Sequence, residues 1–515
     1  MIKDKIKALD LSATLKINEI SKSIELSGKE VIKFGFGQSP FQVPEDIVEE
    51  LKKNAHQKSY LPIQGLEKLR EAISGYESRK KNIIFSTDQV MVGPGSKELM
   101  FLLHICFNGK ILLPTPSWVS YKPQAIIAEN KYQWIKTKAE NFWFPTAEDI
   151  EKIVINNKKN ENLLILNSPN NPSGQVCQNL EDLSKVILKY NITVLSDEIY
   201  SELTFQNKYN SLAKFCPDNV IISNGLSKWC GAGGWRLGYF VFPEALNHLK
   251  NSIKILASET FSAVSAPIQY AAISAFSKDH SEYVLKSKKI LYSIGNFVHK
   301  NLKSNNIIMN EPMGGFYLMP EFLNKKFNSS SEMCSEILNK TGVAILPGSD
   351  FGFDEKKMIT RLSYTDFDGK KFSGVGLEHA FGSELRGKNG TQLMQKISNG
   401  KWKPINSNNI IEPTPGLDIV TTINVGFQDI THHALLEQLE KFEADHGTAV
   451  VMETSTGEIK AISNLGRTSN GKYYERLNYA VGEHFEPGST FKLMTLMAAL
   501  EDGKVELQNF VNTEN

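Results

Sequence analysis

The stretch Ser223-Asn224-Gly225-Leu226-Ser227-Lys228, leading on to Gly231-Ala232-Gly233-Gly234-Trp235-Arg236-Leu237-Gly238, decides how this chain is read. It follows a short apolar run, Val220-Ile221-Ile222, so it begins where a strand ends. A lysine directly after a strand, in a loop of small residues, is poorly solvated. Desolvation lowers its pKa and leaves its amine nucleophilic. Arg236 lies eight positions further on (236 − 228), and its planar fork can neutralise a phosphate through two parallel hydrogen bonds. One lysine alone reads as a surface residue, so the segments around it carry the argument.

Working outward, strand-like apolar runs at 89–92, 111–113, 163–166, 193–195, 220–222 and 239–241 alternate with helical patterns. Each run is short, apolar on both faces and punctuated by Gly, Pro, Asn or Asp. That pattern predicts an α/β fold with a mostly parallel sheet and helices on both faces. Ligands of such sheets sit at the carboxyl ends of the strands.

Each of those ends carries a polar cluster. Gly93-Pro94-Gly95-Ser96-Lys97 opens an apolar helix, and its backbone N–H groups suit a phosphate, although a simple tight turn has the same composition. Pro114-Thr115-Pro116-Ser117-Trp118 offers an aromatic face for a flat heterocycle, or a core residue. Asn167-Ser168-Pro169-Asn170-Asn171-Pro172-Ser173-Gly174 is a rigid turn from which Asn171 can present an amide. Ser196-Asp197-Glu198-Ile199-Tyr200 ends a buried strand on an Asp, which is costly unless paired. A protonated pyridine nitrogen is one suitable partner, and a nearby Lys or Arg is the other.

Taken in order, these motifs over residues ~25–371 resemble a class I/II aminotransferase of the fold-type-I pyridoxal-phosphate enzymes. The resemblance implies pyridoxal 5'-phosphate as cofactor, joined to Lys228 as an internal aldimine. Lys228 would then shuttle a proton as an amino group moves between an L-amino acid and a 2-oxo acid. Asp197 would pair the pyridine nitrogen, Asn171 and Tyr200 would bond the ring's phenolic oxygen, and Trp118 would stack on the ring. Ser96, Lys97 (through its backbone), Ser227 and Arg236 resemble the phosphate group's ligands. Tyr60, in Tyr60-Leu61-Pro62-Ile63-Gln64-Gly65, resembles the tyrosine that reaches a partner subunit's phosphate, which implies a homodimer. Gly37, in Gly35-Phe36-Gly37-Gln38-Ser39-Pro40, and Arg361, in Thr360-Arg361-Leu362-Ser363-Tyr364, resemble the substrate-carboxylate contacts. The large cofactor domain would span ~45–275. A small α+β domain would combine ~1–44 with ~276–371 and lack its final helix. The sequence departs from the family at Gly225, where serine is frequent, so a phosphate contact is lost or supplied elsewhere, with Ser223 as a candidate.

Beyond Lys370-Lys371 the character changes. Residues ~372–515 resemble the entry to a penicillin-binding-protein transpeptidase domain. The carrying residues are Val450-Val451-Met452-Glu453, Thr456-Gly457-Glu458-Ile459 and Glu486-Pro487-Gly488-Ser489-Thr490-Phe491-Lys492. The S-x-x-K spacing puts Ser489 and Lys492 on one helical face, and the resemblance implies a serine acyl nucleophile with a lysine base. The later S-x-N and K-T-G elements are absent, so this α+β fragment is expected to be incomplete and inactive. The junction near 366–370 reads as two unrelated reading frames joined, with a bifunctional enzyme as the alternative. A non-catalytic cofactor-binding regulator and another pyridoxal-phosphate reaction, such as β-elimination, stay open as rivals, because a fold does not fix one chemistry.

Bulk properties set the outer limits. The 515 residues are 41% hydrophobic and 22% charged with a formal charge of +1, so nothing draws the chain to nucleic acid or an anionic membrane. Five cysteines without metal-ligand spacing fit a reduced cytoplasmic chain with no metal. No run reaches the length of a membrane span.

Overall fold

The computed structural model describes residues 4–7, 9, 13–26, 28–155, 161–205, 209–323, 326–367, 391–392, 394–396, 402–404, 410–411, 414, 417–468, 471–475, 477–482, 489, 491–506 and 508. Two compact units divide the chain, Met1–Lys370 and Lys371–Asn515. Of the junction read near 366–370, residues 368–370 lie outside the described residues.

The first unit is built on a seven-stranded sheet. Its strands are β1 (Val90–Gly93), β2 (Lys110–Thr115), β3 (Lys131–Lys136), β4 (Asn162–Asn167), β5 (Thr193–Asp197), β6 (Val220–Gly225) and β7 (Gly238–Val241). Their order across the sheet is β1-β7-β6-β5-β4-β2-β3. The strands β3, β2, β4, β5 and β6 pair in parallel, and β7 runs antiparallel to both its neighbours.

Alternate strand residues feed two separate cores. Val90, Leu112, Leu164, Val194 and Ile222 face Leu69, Ile73, Leu183 and Phe276 on one side. Met91, Ile111, Leu163, Leu195 and Ile221 face Leu99, Leu103, Leu249 and Ile253 on the other. Both faces are therefore covered by helices, which is why these strands read as unbroken apolar runs. Cutting a residue such as Ile221 to Ala would cost about 2–5 kcal/mol. The sequence reading missed β3, an edge strand whose Lys131-Tyr132-Gln133-Trp134-Ile135-Lys136 mixes polar and apolar residues.

The register aligns the strand ends. Asn167 lies opposite Asp197, and Asp197 opposite Ser223. A smaller three-stranded antiparallel sheet follows, with β8 (Tyr317–Leu318), β9 (Leu346–Pro347) and β10 (Thr360–Ser363) in the order β8-β10-β9. It places Arg361 on its central strand.

The second unit holds a helix, Val425–Phe442, whose N-cap Asn424 accepts from the Phe427 N–H. An antiparallel sheet of β11 (His446–Met452), β12 (Ile459–Arg467) and β13 (Tyr473–Tyr474) packs on it through Leu439, Leu465 and Tyr473. Strands β11 and β12 form a hairpin around Thr454-Ser455-Thr456-Gly457. Among the described residues, no helix is long and apolar enough to cross a membrane.

Candidate active site

The carboxyl ends of the central strands open on a cavity of about 320 Å³. Lys228 enters it from the loop after β6, and its Nζ donates to the Gly37 carbonyl oxygen at 2.8 Å. The amine also stands 5.6 Å from the Tyr200 ring centre and 5.5 Å from that of Phe316. Burial, then the positive charges of Arg361 and Arg236, push its pKa down to about 8 against the pull of Asp197. Removing water from a cation favours its neutral, nucleophilic form.

Asp197 ends β5 at 4% exposure. Tyr121 Oη donates to its Oδ2 at 2.6 Å and Ser223 Oγ to its Oδ1 at 3.5 Å. Burial raises the carboxyl pKa to about 6, although the Tyr121, Ile199 N–H and Ser223 hydrogen bonds oppose the rise. Among the described residues no lysine or arginine forms an ion pair with it. The salt bridge open in the sequence reading is therefore made instead by the next residue: buried Lys81 lies 3.0 Å from Glu198 and also bonds Glu77. Burial opposes the Lys81 charge, and the two carboxylates outweigh it.

Asn167 Nδ2 donates to the Asp197 carbonyl at 2.8 Å, and Asn167 Oδ1 accepts from the Asn171 N–H at 2.7 Å. The Asn-rich turn is thus pinned to β5, and Asn171 Oδ1 accepts from Arg361 Nη1 at 3.2 Å. Arg361 is 1% exposed, bonds the Gly35 carbonyl, and keeps its Nε without a partner. It forms no ion pair among the described residues. Burial pushes its pKa down, while Tyr317, Tyr200 and Asp350 pull the other way.

A helix that also lines the cavity begins at Ser96. Its N-cap Gly95 has φ +88°, and a Cβ there would fall 2.5 Å from Arg236 Nη2. This leaves a cradle of backbone N–H groups beside a guanidinium, the arrangement that binds a phosphate. Ser227 lines the same space. Lys97 Nζ stands 5.4 Å from the centre of the Trp118 ring, which packs edge-on against Tyr121. Burial, then Arg236, lowers the Lys97 pKa.

The structure thus brings together Gly37, Ser96, Lys97, Trp118, Asn171, Asp197, Tyr200, Ser227, Lys228, Arg236 and Arg361 around one cavity. Tyr60 is not among its lining residues and is 94% exposed. Ser489 and Lys492, in the second unit, are both exposed. The expectation that Ser223 replaces a lost phosphate contact is corrected: its hydroxyl serves Asp197. Gly225 has its own cause, since a Cβ there would meet the Leu237 carbonyl oxygen at 2.8 Å. Tyr121 and Tyr317 were not singled out in the sequence. Tyr121 sits three residues after Trp118 in a strand-end cluster, which is the signal that could have found it.

One cavity thus gathers a desolvated lysine and a buried aspartate from the large sheet, Arg236, and Arg361 from the smaller sheet, a set suited to group transfer. Residues 29–368 match the family described as aminotransferase class I and II. The chain is 30% identical to the aspartate aminotransferase of Thermotoga maritima, over 71% of this chain and 94% of that protein. It is 28% identical to an asparagine–oxo-acid transaminase of Streptococcus mutans, over 69% of this chain and 92% of that protein. The solved alanine aminotransferase of Pyrococcus furiosus superposes with a TM-score of 0.66 at 27% identity, covering 71% of this chain and 95% of the other. The chain belongs to the class I and II aminotransferases, a pyridoxal-phosphate-dependent family. Residues 447–515 match a second family, the penicillin binding protein transpeptidase domain, beginning well after residue 372.

Proposed function

We propose that this chain moves an amino group between an L-amino acid and a 2-oxo acid with pyridoxal phosphate held in the cavity and tethered at Lys228. One observation carries the reading: a lysine with its pKa at about 8 shares one enclosure with a buried aspartate and a buried arginine that forms no ion pair among the described residues. The donor set fits the cofactor. The cradle at Gly95, Ser96 and Arg236 suits its phosphate, and Asp197 suits its ring nitrogen. Trp118 offers a face for the ring, and Tyr200 and Asn171 offer hydrogen-bonding groups for its phenolic oxygen.

When bound, pyridoxal phosphate supplies an electron sink for negative charge developing at a substrate's α-carbon. The chain's residues do the rest. Asp197, ionised by a cationic partner, holds the ring-nitrogen proton in place. Arg361, a cation lining the cavity, grips the substrate carboxylate and orients the α-carbon beside Lys228. Lys228 Nζ, half neutral near pH 8, takes and returns the proton that leaves that carbon.

An acidic amino acid is the donor we favour. The Lys97 ammonium lines the cavity without an ion pair among the described residues, and several relatives bear the name aspartate aminotransferase. A second copy of the chain would give the exposed Tyr60 a role, and we infer a homodimer and a cytoplasmic setting on that reading. The second reading, acyl transfer at Ser489 with Lys492, rests on the match over 447–515 alone. Labelling by a fluorescent penicillin, lost in Ser489→Ala, is the observation that would support it.

The functional reading is tested by borohydride reduction of the chain with pyridoxal phosphate, followed by peptide mass mapping. The expected adduct is on the peptide carrying Lys228. An adduct spread over surface lysines, with none at Lys228, would sink the proposal.

A further inference from the structure

Tyr317 stands between three groups that the proposed function uses, at 1% exposure. Its hydroxyl is 2.9 Å from that of Tyr200. Its ring lies under the Arg361 guanidinium, whose carbon is 4.8 Å from the ring centre. A Cβ at Gly37 would fall 2.0 Å from Tyr317 Oη, so the phenol packs on the backbone whose carbonyl holds the Lys228 amine. The ladder fixes this placement, because β8 pairs Tyr317 with Ser363 and Leu318 with Leu362, on the strand that bears Arg361.

We propose that Tyr317 is a positioning residue that holds the Tyr200 phenol and the Arg361 fork as one unit, so that a single side chain governs both the ring-oxygen contact and the grip on the substrate carboxylate. This rests on the function proposed above. Either hydroxyl of the pair can donate; in this assignment Tyr317 donates, which leaves the Tyr200 proton for a cofactor oxygen. A hydroxyl that accepts one hydrogen bond becomes a stronger donor of its own. Tyr200 would thereby be strengthened as a donor toward the phenolic oxygen of bound pyridoxal phosphate and would draw charge off it, which shifts the pH at which the bound cofactor changes colour. The ring of Tyr317 acts separately. Stacking beneath the guanidinium holds the fork in its plane without neutralising it, so Arg361 stays available to an anion.

The two halves are separable by substitution in the full chain loaded with pyridoxal phosphate. Tyr317→Phe keeps the ring and loses the hydroxyl. It is expected to raise the pH midpoint of the bound cofactor's colour change by about half a unit or more, with KM for the amino acid within about twofold of wild type. Tyr317→Leu loses the ring as well and is expected to add a roughly tenfold rise in KM with a smaller change in kcat. Thermal melts establish that each variant is folded; if Tyr317→Leu is not, the midpoint in Tyr317→Phe decides. An unchanged midpoint in Tyr317→Phe overturns the inference, as does activity that falls only with the folded fraction. Failure of wild type to bind the cofactor is seen before any variant is compared, and that outcome overturns the functional reading and this inference together.

Discussion

Lys228 and Lys492 each lie close to a serine in a motif that carries chemistry, and the two surroundings differ in kind. Lys228 projects into a cavity, donates to a backbone carbonyl, and has two arginines acting on it through low-dielectric protein. Lys492 lies on the first turn of the helix Phe491–Glu501 with its side chain exposed, as is that of Ser489. A lysine becomes a base or nucleophile near neutral pH when the protein removes its water and surrounds it with like charge. Spacing in sequence brings the groups to one face, and the fold supplies the desolvation.

The contrast can be broken most forcibly at Lys228. Lys228→Ala should cut amino transfer by roughly 10⁴-fold, since tether and proton carrier are lost together. A coupled oxo-acid assay reads this directly, and a variant within tenfold of wild type would end the argument. Arg361→Lys comes next. Replacing a buried planar fork by a point charge should raise KM for the amino acid roughly 100-fold, with kcat falling less. Equal losses in kcat and KM for every donor would show that Arg361 serves the fold rather than the carboxylate.

The pH dependence sharpens the comparison at intermediate size. Only the neutral amine attacks an aldehyde, and the folded-state pKa of Lys228 is lowered to about 8. The rate at which cofactor-free chain takes up pyridoxal phosphate should therefore rise about tenfold between pH 7 and 9 and then level off. A solvated lysine, near pKa 10.4, would keep rising through pH 10. Stopped-flow absorbance distinguishes the two profiles. The smallest effect is expected in the second unit. Ser489→Ala should leave amino transfer within about twofold of wild type, as substitutions of exposed residues generally do.

Much of this site was legible in the sequence because β5 and β6 place their chemistry at consecutive positions. Asp197 closes an apolar run, and Lys228 follows another by a short loop, so strand period and residue type sufficed. Tyr317 and Tyr121 were harder to find. Tyr317 reaches Tyr200 across 117 residues of chain, and Tyr121 reaches Asp197 across 76. No local pattern encodes a contact made by packing one element on another. The edge strand β3 escaped for a related reason, since two of its six residues are exposed, one is buried, and its apolar content is diluted. Gly225 departs from the family pattern because β6 and β7 approach too closely there for a side chain, a fact of register rather than composition.

The central claim is that Lys228 works inside a cofactor cavity, and the visible spectrum of the full chain with pyridoxal phosphate tests it most directly. The account predicts a yellow absorption band that is absent in Lys228→Ala, is bleached by an acidic amino acid and is restored by a 2-oxo acid. A folded wild-type chain that develops no such band, or whose band survives in Lys228→Ala, would contradict it.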